Sequence, residues 1–187
     1  MGAFYTNLTV NTTHRDAVVA HCTTAQRTAF VSKVEHSSCV VFDEQSDEDP
    51  EGFAEWAADL SARCQCAALL VTNHDDDVLL YTLYRNGDLL NEYISSPEFV
   101  ADFGEEAERG GDSRIIADAF AVPDRRRDLE RLLSAPVDEI EFESVRHAQI
   151  VELLSLPRCA VGTGFAELAD GTWPEGYGEA DFALISA

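Results

Sequence analysis

Residues 66–95 constrain this chain more than any other stretch, because they spell three strands in succession together with the turns that join them. Cys66-Ala67-Ala68-Leu69-Leu70-Val71 is a short unbroken apolar run, the pattern of a strand covered on both faces. The acidic turn Asn73-His74-Asp75-Asp76-Asp77 follows, and beyond it two further runs, residues 77–85 and 88–94, meet across Asn86-Gly87. Asn-Gly is the pair that best tolerates the two positive φ values of a type I′ hairpin turn. A two-residue loop fixes a register, with Arg85 opposite Asp88, Leu83 opposite Leu90, Tyr81 opposite Glu92 and Leu79 opposite Ile94. Tyr84 with Leu89 and Leu80 with Tyr93 then point the other way. Both faces of the hairpin are apolar, and a sheet left bare on either would expose a large hydrophobic patch, so cover on both is expected.

The chain before this meander reads as β-α-β-β-α. Phe4, Thr6, Leu8 and Val10 alternate with Tyr5, Asn7 and Thr9 as a strand does. Asn11-Thr12-Thr13 offers a helix cap, and Ala17, Val18, His21, Cys22 and Ala25 form a helical stripe. Residues 30–34 and 39–42 read as two strands joined by Glu35-His36-Ser37-Ser38. Asp49-Pro50-Glu51 is a helix start, followed by Phe53, Trp56, Ala57, Leu60 and Cys64 on one face. The order β-α-β-β-α-β, extended by the hairpin, is that of a ferredoxin-like arrangement within an α+β fold, with both helices on one face of an antiparallel sheet.

From residue 98 onward helices and loops dominate. A charged, Gly-rich connector is expected over 105–112, then helices carrying Ile115, Ile116 and Phe120, opened by Asp112 or Ser113. Pro123 opens a helix with Leu129, Leu132 and Leu133, and a third runs over 142–156. Residues 158–187 read as loop with one closing strand over 182–185. These helices are too short to form a core of their own. The expectation is one α+β domain over 1–187, in which the sheet-forming half, 1–97, is covered on its second face by the mainly helical half, 98–187.

Composition narrows the function classes. The net charge of −22, from 35 acidic against 13 basic side chains, disfavours nucleic acid and anionic membrane surfaces as partners, since both demand positive potential. Lys33 is the one lysine, and the other basic side chains are arginine. No stretch approaches the roughly 20 apolar residues of a membrane helix. The N-terminus lacks the basic region and apolar core of a signal peptide, so a cytoplasmic location is expected. Cys22, Cys39, Cys64, Cys66 and Cys159 mostly fall in apolar patterns that assign them to the core. Cys64-Gln65-Cys66 has no second pair at zinc-ligand spacing, which weighs against a metal or redox role.

The one chemically suggestive cluster is the turn itself. His74, Asp75, Asp76 and Asp77 offer the imidazole and hard oxygens that a divalent cation takes, although neighbours in a turn rarely converge on one ion and Asx side chains more often cap their own backbone. Val161-Gly162-Thr163-Gly164 is a lone GxG outside a βαβ unit, and no Walker A, GxSxG or HExxH pattern occurs. His14 and His36 fall in turns, while His21 and His147 lie among apolar residues. The reading that follows is a non-catalytic binding or regulatory domain with no cofactor, for a protein or small-molecule partner. The alternative is a metal-assisted enzyme built on His74, Asp75, Asp76 and Asp77.

Overall fold

In the computed structural model, which describes residues 2–101 and 108–187, the chain is an α+β protein. The first half runs β1 (Tyr5–Val10), α1 (Arg15–Thr24), β2 (Ala29–Ser32), β3 (Cys39–Asp43), α2 (Pro50–Cys64), β4 (Ala67–His74), β5 (Val78–Arg85) and β6 (Asp88–Ile94). The second half adds α3 (Pro97–Ala101), α4 (Ser113–Ala119), α5 (Arg126–Ser134), α6 (Glu143–Leu154), α7 (Phe165–Ala169) and β7 (Phe182–Ile185). All seven strands form one antiparallel sheet in the order β6-β5-β4-β1-β3-β2-β7. The last strand of the chain thus lies on the outer edge of the second. The connector expected over 105–112 falls partly outside the described residues.

Local chemistry accounts for the element ends. Asp49 caps α2 by accepting the Gly52 N–H at 3.0 Å, with Pro50 at the first helical position. Asp112 accepts the Arg114 and Ile115 N–H groups and opens α4. At α1 the expected side-chain cap is missing: the helix starts one turn position later, at Arg15, and the Thr12 hydroxyl accepts the His14 N–H at 3.1 Å instead. The stripe of α1 is correspondingly narrow, with Val18, His21 and Cys22 buried but Ala17 and Ala25 exposed.

Each face of the sheet has its own core. On one, Leu8, Val10, Val31, Val41, Ala68 and Leu70 meet Val18 and Cys22 of α1 and Phe53, Trp56, Ala57 and Leu60 of α2. On the other, Leu69, Val71, Leu79, Tyr81 and Leu83 meet Ile116, Leu129, Leu133, Ile150 and Leu154 of the later helices. Burying one such side chain contributes roughly 1.5–3 kcal/mol, so either face bare would be strongly unfavourable.

The hairpin keeps its turn and loses its register. Asn86 and Gly87 have φ of 54° and 92°, as a type I′ turn requires, and the Gly87 N–H donates to Ser61 Oγ at 2.8 Å, docking the turn on the end of α2. Arg85↔Asp88 and Tyr84↔Leu89 pair as expected, but a bulge follows. Leu90 becomes the extra residue, and the pairs are then Leu83↔Asn91, Thr82↔Glu92, Tyr81↔Tyr93 and Leu80↔Ile94. The expected partners of Leu83, Tyr81, Leu79 and Leu80 are therefore each wrong by one residue. The bulge turns Tyr93 onto the face of Tyr81, where the rings stack with centroids 5.2 Å apart, and lets the Tyr81 hydroxyl donate to Asn91 Oδ1 at 2.8 Å. Cover also stops short of the tip, where Leu89 is 53% and Leu90 36% exposed. Past the bulge the outer edge of β6 is closed, with Ile94 N–H donating to the Arg109 carbonyl and Gly111 N–H to that of Glu92.

Candidate functional site

The turn after β4 is occupied by the protein itself. Asp75 and Asp76 take positive φ values of 55° and 61°, which short Asx side chains tolerate. Asp76 Oδ2 accepts the Ala3 N–H at 2.8 Å, and its Oδ1 accepts Asn73 Nδ2 at 2.9 Å and the Ser144 N–H at 3.1 Å. Partial burial raises the Asp76 pKa, but the donors at Ala3, Asn73 and Ser144 outweigh it and hold the carboxyl below its ordinary value. Asp75 Oδ1 accepts the Gly2 N–H at 3.0 Å, and the Asp76 carbonyl accepts the Glu143 N–H at 3.0 Å. His74 packs between the rings of Phe4 and Phe99, at 5.2 and 5.1 Å, while Asp77 is exposed. The turn thus ties the N-terminal residues to the start of α6. Among the described residues no group of three or more His, Cys, Asp or Glu side chains is placed to hold a metal ion.

A second polar cluster lies under the C-terminal helices. The Tyr5 hydroxyl and His147 Nδ1 share a hydrogen bond of 2.9 Å, and full burial pushes the imidazole down to about 3, so it stays neutral. Asn7 Nδ2 donates to the Ala160 and Thr163 carbonyls at 2.7 and 3.1 Å. Arg146 Nε donates to Glu143 Oε2 at 2.8 Å, and its other nitrogens reach Glu143 Oε1 and the carbonyls of Leu132 and Ala135. Arg146 and Glu143 are both buried, and each finds its partners inside the protein. These groups hold elements together.

Open space lies elsewhere, where the tail crosses the sheet. One cleft of about 680 Å³ is lined by Glu35, Glu152, Arg158, Glu175 and Tyr177, among others. A second, of about 610 Å³, shares Arg158, Val161, Glu175 and Gly176 with it and adds Glu167 and Trp173. Loop 173–178 stands between them. It is anchored by aromatic packing, with Trp173 stacked on Phe182 at 5.4 Å and edge-on to Phe30 at 6.2 Å. Beside it the Tyr177 hydroxyl donates to Glu35 Oε2, and burial followed by that carboxylate raises the phenol above its ordinary range, keeping it protonated. Lys33 lies 4.8 Å from the Tyr177 ring centre and pairs with Glu35 at 3.3 Å and Asp181 at 3.1 Å. Gly176, at φ 84°, has nothing within 4 Å of where a Cβ would sit, so the loop faces open space there.

Arg158 differs from these residues. It is exposed, belongs to both clefts, and its guanidinium has no hydrogen-bond or ion-pair partner among the described residues. The adjacent Cys159 is buried, and burial pushes its thiol up to about 12. The clefts therefore present carboxylates, aromatic edges and the Arg158 guanidinium, with the His36 imidazole and the Ser155 hydroxyl also on the wall of the first. The GxG segment does line the second cleft, at Val161, Gly162 and Thr163, although its sequence context gave no dinucleotide reading. Glu35, Arg158 and Tyr177 were not singled out by sequence, because each falls in a loop or turn with no motif around it. Comparison with protein-family models, with curated proteins and with solved structures finds no match to this chain.

Proposed function

We propose that this chain is a non-catalytic binding domain whose ligand sits in the two clefts that meet at Arg158. The observation that carries this reading is the junction itself: two adjoining concavities share Arg158, whose guanidinium has no partner among the described residues, in a chain of net charge −22. Glu35, Glu152, Glu167 and Glu175 outnumber that arginine around the clefts, which favours a small cationic ligand lying against Tyr177 or Trp173. Agmatine is a suitable probe. It should raise the melting temperature saturably at physiological salt, because a ligand selective for the native state stabilises it by mass action. The rise should vanish in Glu152→Gln/Glu175→Gln. A flat response would remove the binding reading for these clefts, and a rise with phosphate alone, lost in Arg158→Ala, would overturn the cationic class.

The metal-assisted reading on His74, Asp75, Asp76 and Asp77 is the rival, and it is weakened by the backbone donors already on Asp76. It would be favoured by a melting shift specific to Mg, Mn, Zn or Ca, reversed by EDTA and lost in His74→Ala/Asp77→Asn. The run β4-β1-β3-β2 within the sheet supports a ferredoxin-like reading of the first six elements, an analogy that carries no function with it. Five unpaired cysteines support placement in a reducing compartment such as the cytoplasm.

A further inference from the structure

Lys33 directly follows β2, and its ammonium is held by side chains from the turn beyond it and from the tail. It lies 3.3 Å from Glu35 Oε1, 3.1 Å from Asp181 Oδ1 and 4.8 Å from the ring centre of Tyr177, so two carboxylates and an aromatic face surround one cation. Each wall of this cage is fixed by bonds that the Lys33 side chain does not make. Glu35 and Ser38 exchange backbone hydrogen bonds of 2.8 and 2.9 Å around His36 and Ser37, whose φ values of 48° and 64° are those of a type I′ turn. The other Glu35 oxygen accepts the Tyr177 hydroxyl. Asp181 Oδ2 accepts the Gly178 N–H at 2.9 Å, and the Asp181 N–H donates back to the Gly178 carbonyl at 2.9 Å. The Tyr177 ring packs on Phe182 with centroids 5.9 Å apart.

The ammonium is the loose part of this arrangement. It rides on a flexible aliphatic stem, the side chain is 39% exposed, and ion pairs at that exposure hold their partners weakly. The cage, by contrast, keeps its demand for a cation whichever donor supplies it. Two carboxylates face one ammonium, and Arg15 reaches Asp181 through the main-chain carbonyl, at 3.4 Å. Glu35 and Tyr177 also line the first cleft, so an ammonium entering that cleft meets two of the three walls.

We infer that Glu35, Asp181 and Tyr177 form the ammonium subsite of the first cleft, and that Lys33 fills it in the free protein until the ligand's own ammonium takes its place. This subsite presupposes the cleft binding proposed above and, of the two aromatic rings there, selects Tyr177. It also narrows the ligand to a primary alkylammonium, whose compact head with three donors is the group the cage already holds, in place of a planar guanidinium. Lys33 thereby acts as a tethered competitor, and the affinity measured for any ligand is reduced by the fraction of time that the cage is closed.

Because Lys33 is the one lysine, selective isotope labelling of lysine gives the full chain a single Cε signal in NMR. Titration with agmatine should move that signal to the position of a free lysine, over the same concentrations that raise the melting temperature. Lys33→Met keeps the stem without the charge and should bind agmatine about tenfold more tightly, the factor for a cage that its own lysine leaves open about one tenth of the time. Lys33→Arg should bring no such gain, and Tyr177→Leu added to Lys33→Met should abolish it. Arg158→Met is the control for charge alone, since it removes one positive charge from the wall of the same cleft and should tighten binding less. A Lys33 signal that stays in place while the melting temperature rises, or a gain in Arg158→Met equal to that in Lys33→Met, would overturn the ammonium subsite and leave binding in the clefts standing. No response to agmatine in either the unaltered chain or Lys33→Met would remove both.

Discussion

The two faces of the sheet are covered by different means. The face under α1 and α2 is largely apolar, with charge confined to its margin, where Arg27 pairs with Asp43 at the end of β3 at 2.8 Å. The face under the later helices has an apolar patch beside a polar seam: Tyr5 with His147, Asn7 with the 160–163 segment, and Glu143 with Arg146. Connection explains the difference. α1 and α2 are tied to flanking strands by short links, so the chain itself places them and burial needs only to hold them there. The later helices are short and joined by loops, and hydrophobic contact, being non-directional, would let them settle in several positions. Hydrogen bonds have direction, and those from β1 reach residues 142 to 156 positions away in sequence.

Removing the second face altogether is the largest change that would test this contrast. A chain ending at Pro97 lacks β7 and every helix over the polar seam, and it should aggregate or lose cooperative unfolding, as expected if 1–187 is one cooperative unit. A sharp melt of a monomer would mean that the first face suffices and that the halves are separate domains.

Single substitutions sharpen the comparison. Arg146→Met strands the buried Glu143 carboxylate and should cost about 3–5 kcal/mol in urea unfolding, whereas Glu143→Leu/Arg146→Met should recover most of it. On the apolar face, Leu60→Ala should cost about 2–5 kcal/mol through its cavity, with no second change able to restore it. Failure of the double variant to recover would mean that the pair stabilises in its own right, beyond fixing position.

A further contrast is one of pH. His147 is neutral in the folded protein down to about 3 but takes up a proton near 6.5 when unfolded. Between those values the unfolded state binds more protons, so stability falls as pH drops through the window, by up to about 1.4 kcal/mol per unit, and is unaffected above it. His147→Gln should flatten the slope from pH 6 to 4, whereas His21→Gln, under the apolar face and less deeply buried, should change it less. Equal slopes in the two variants would deny the seam its special place.

Signals confined to a few neighbouring residues were legible in the sequence. Asp49-Pro50 starts α2, Asn86-Gly87 makes the turn, and the closing strand over 182–185 is β7. The bulge at Leu90 was not, because the stack of Tyr81 on Tyr93 and the closure of the β6 edge by Arg109 and Gly111 come from the tertiary structure. Glu143 and Arg146 were not singled out, because their burial depends on carbonyls at Leu132 and Ala135 that only the fold brings to them. The clefts were illegible for the same reason, since Glu35, Glu152, Arg158 and Glu175 meet only when the tail packs over β1 and β2.

The pairing of β7 with β2 also sets a timetable for synthesis. β1 to β6 can associate as they leave the ribosome, yet the outer edge of β2 has no partner until Phe182–Ile185 has been made. Through most of translation Phe30 and Val31 therefore sit on an open strand edge that another nascent chain could extend. The exposed carboxylates translated soon after, among them Glu44, Asp47 and Glu48, give every copy the same sign of charge, which opposes such an approach.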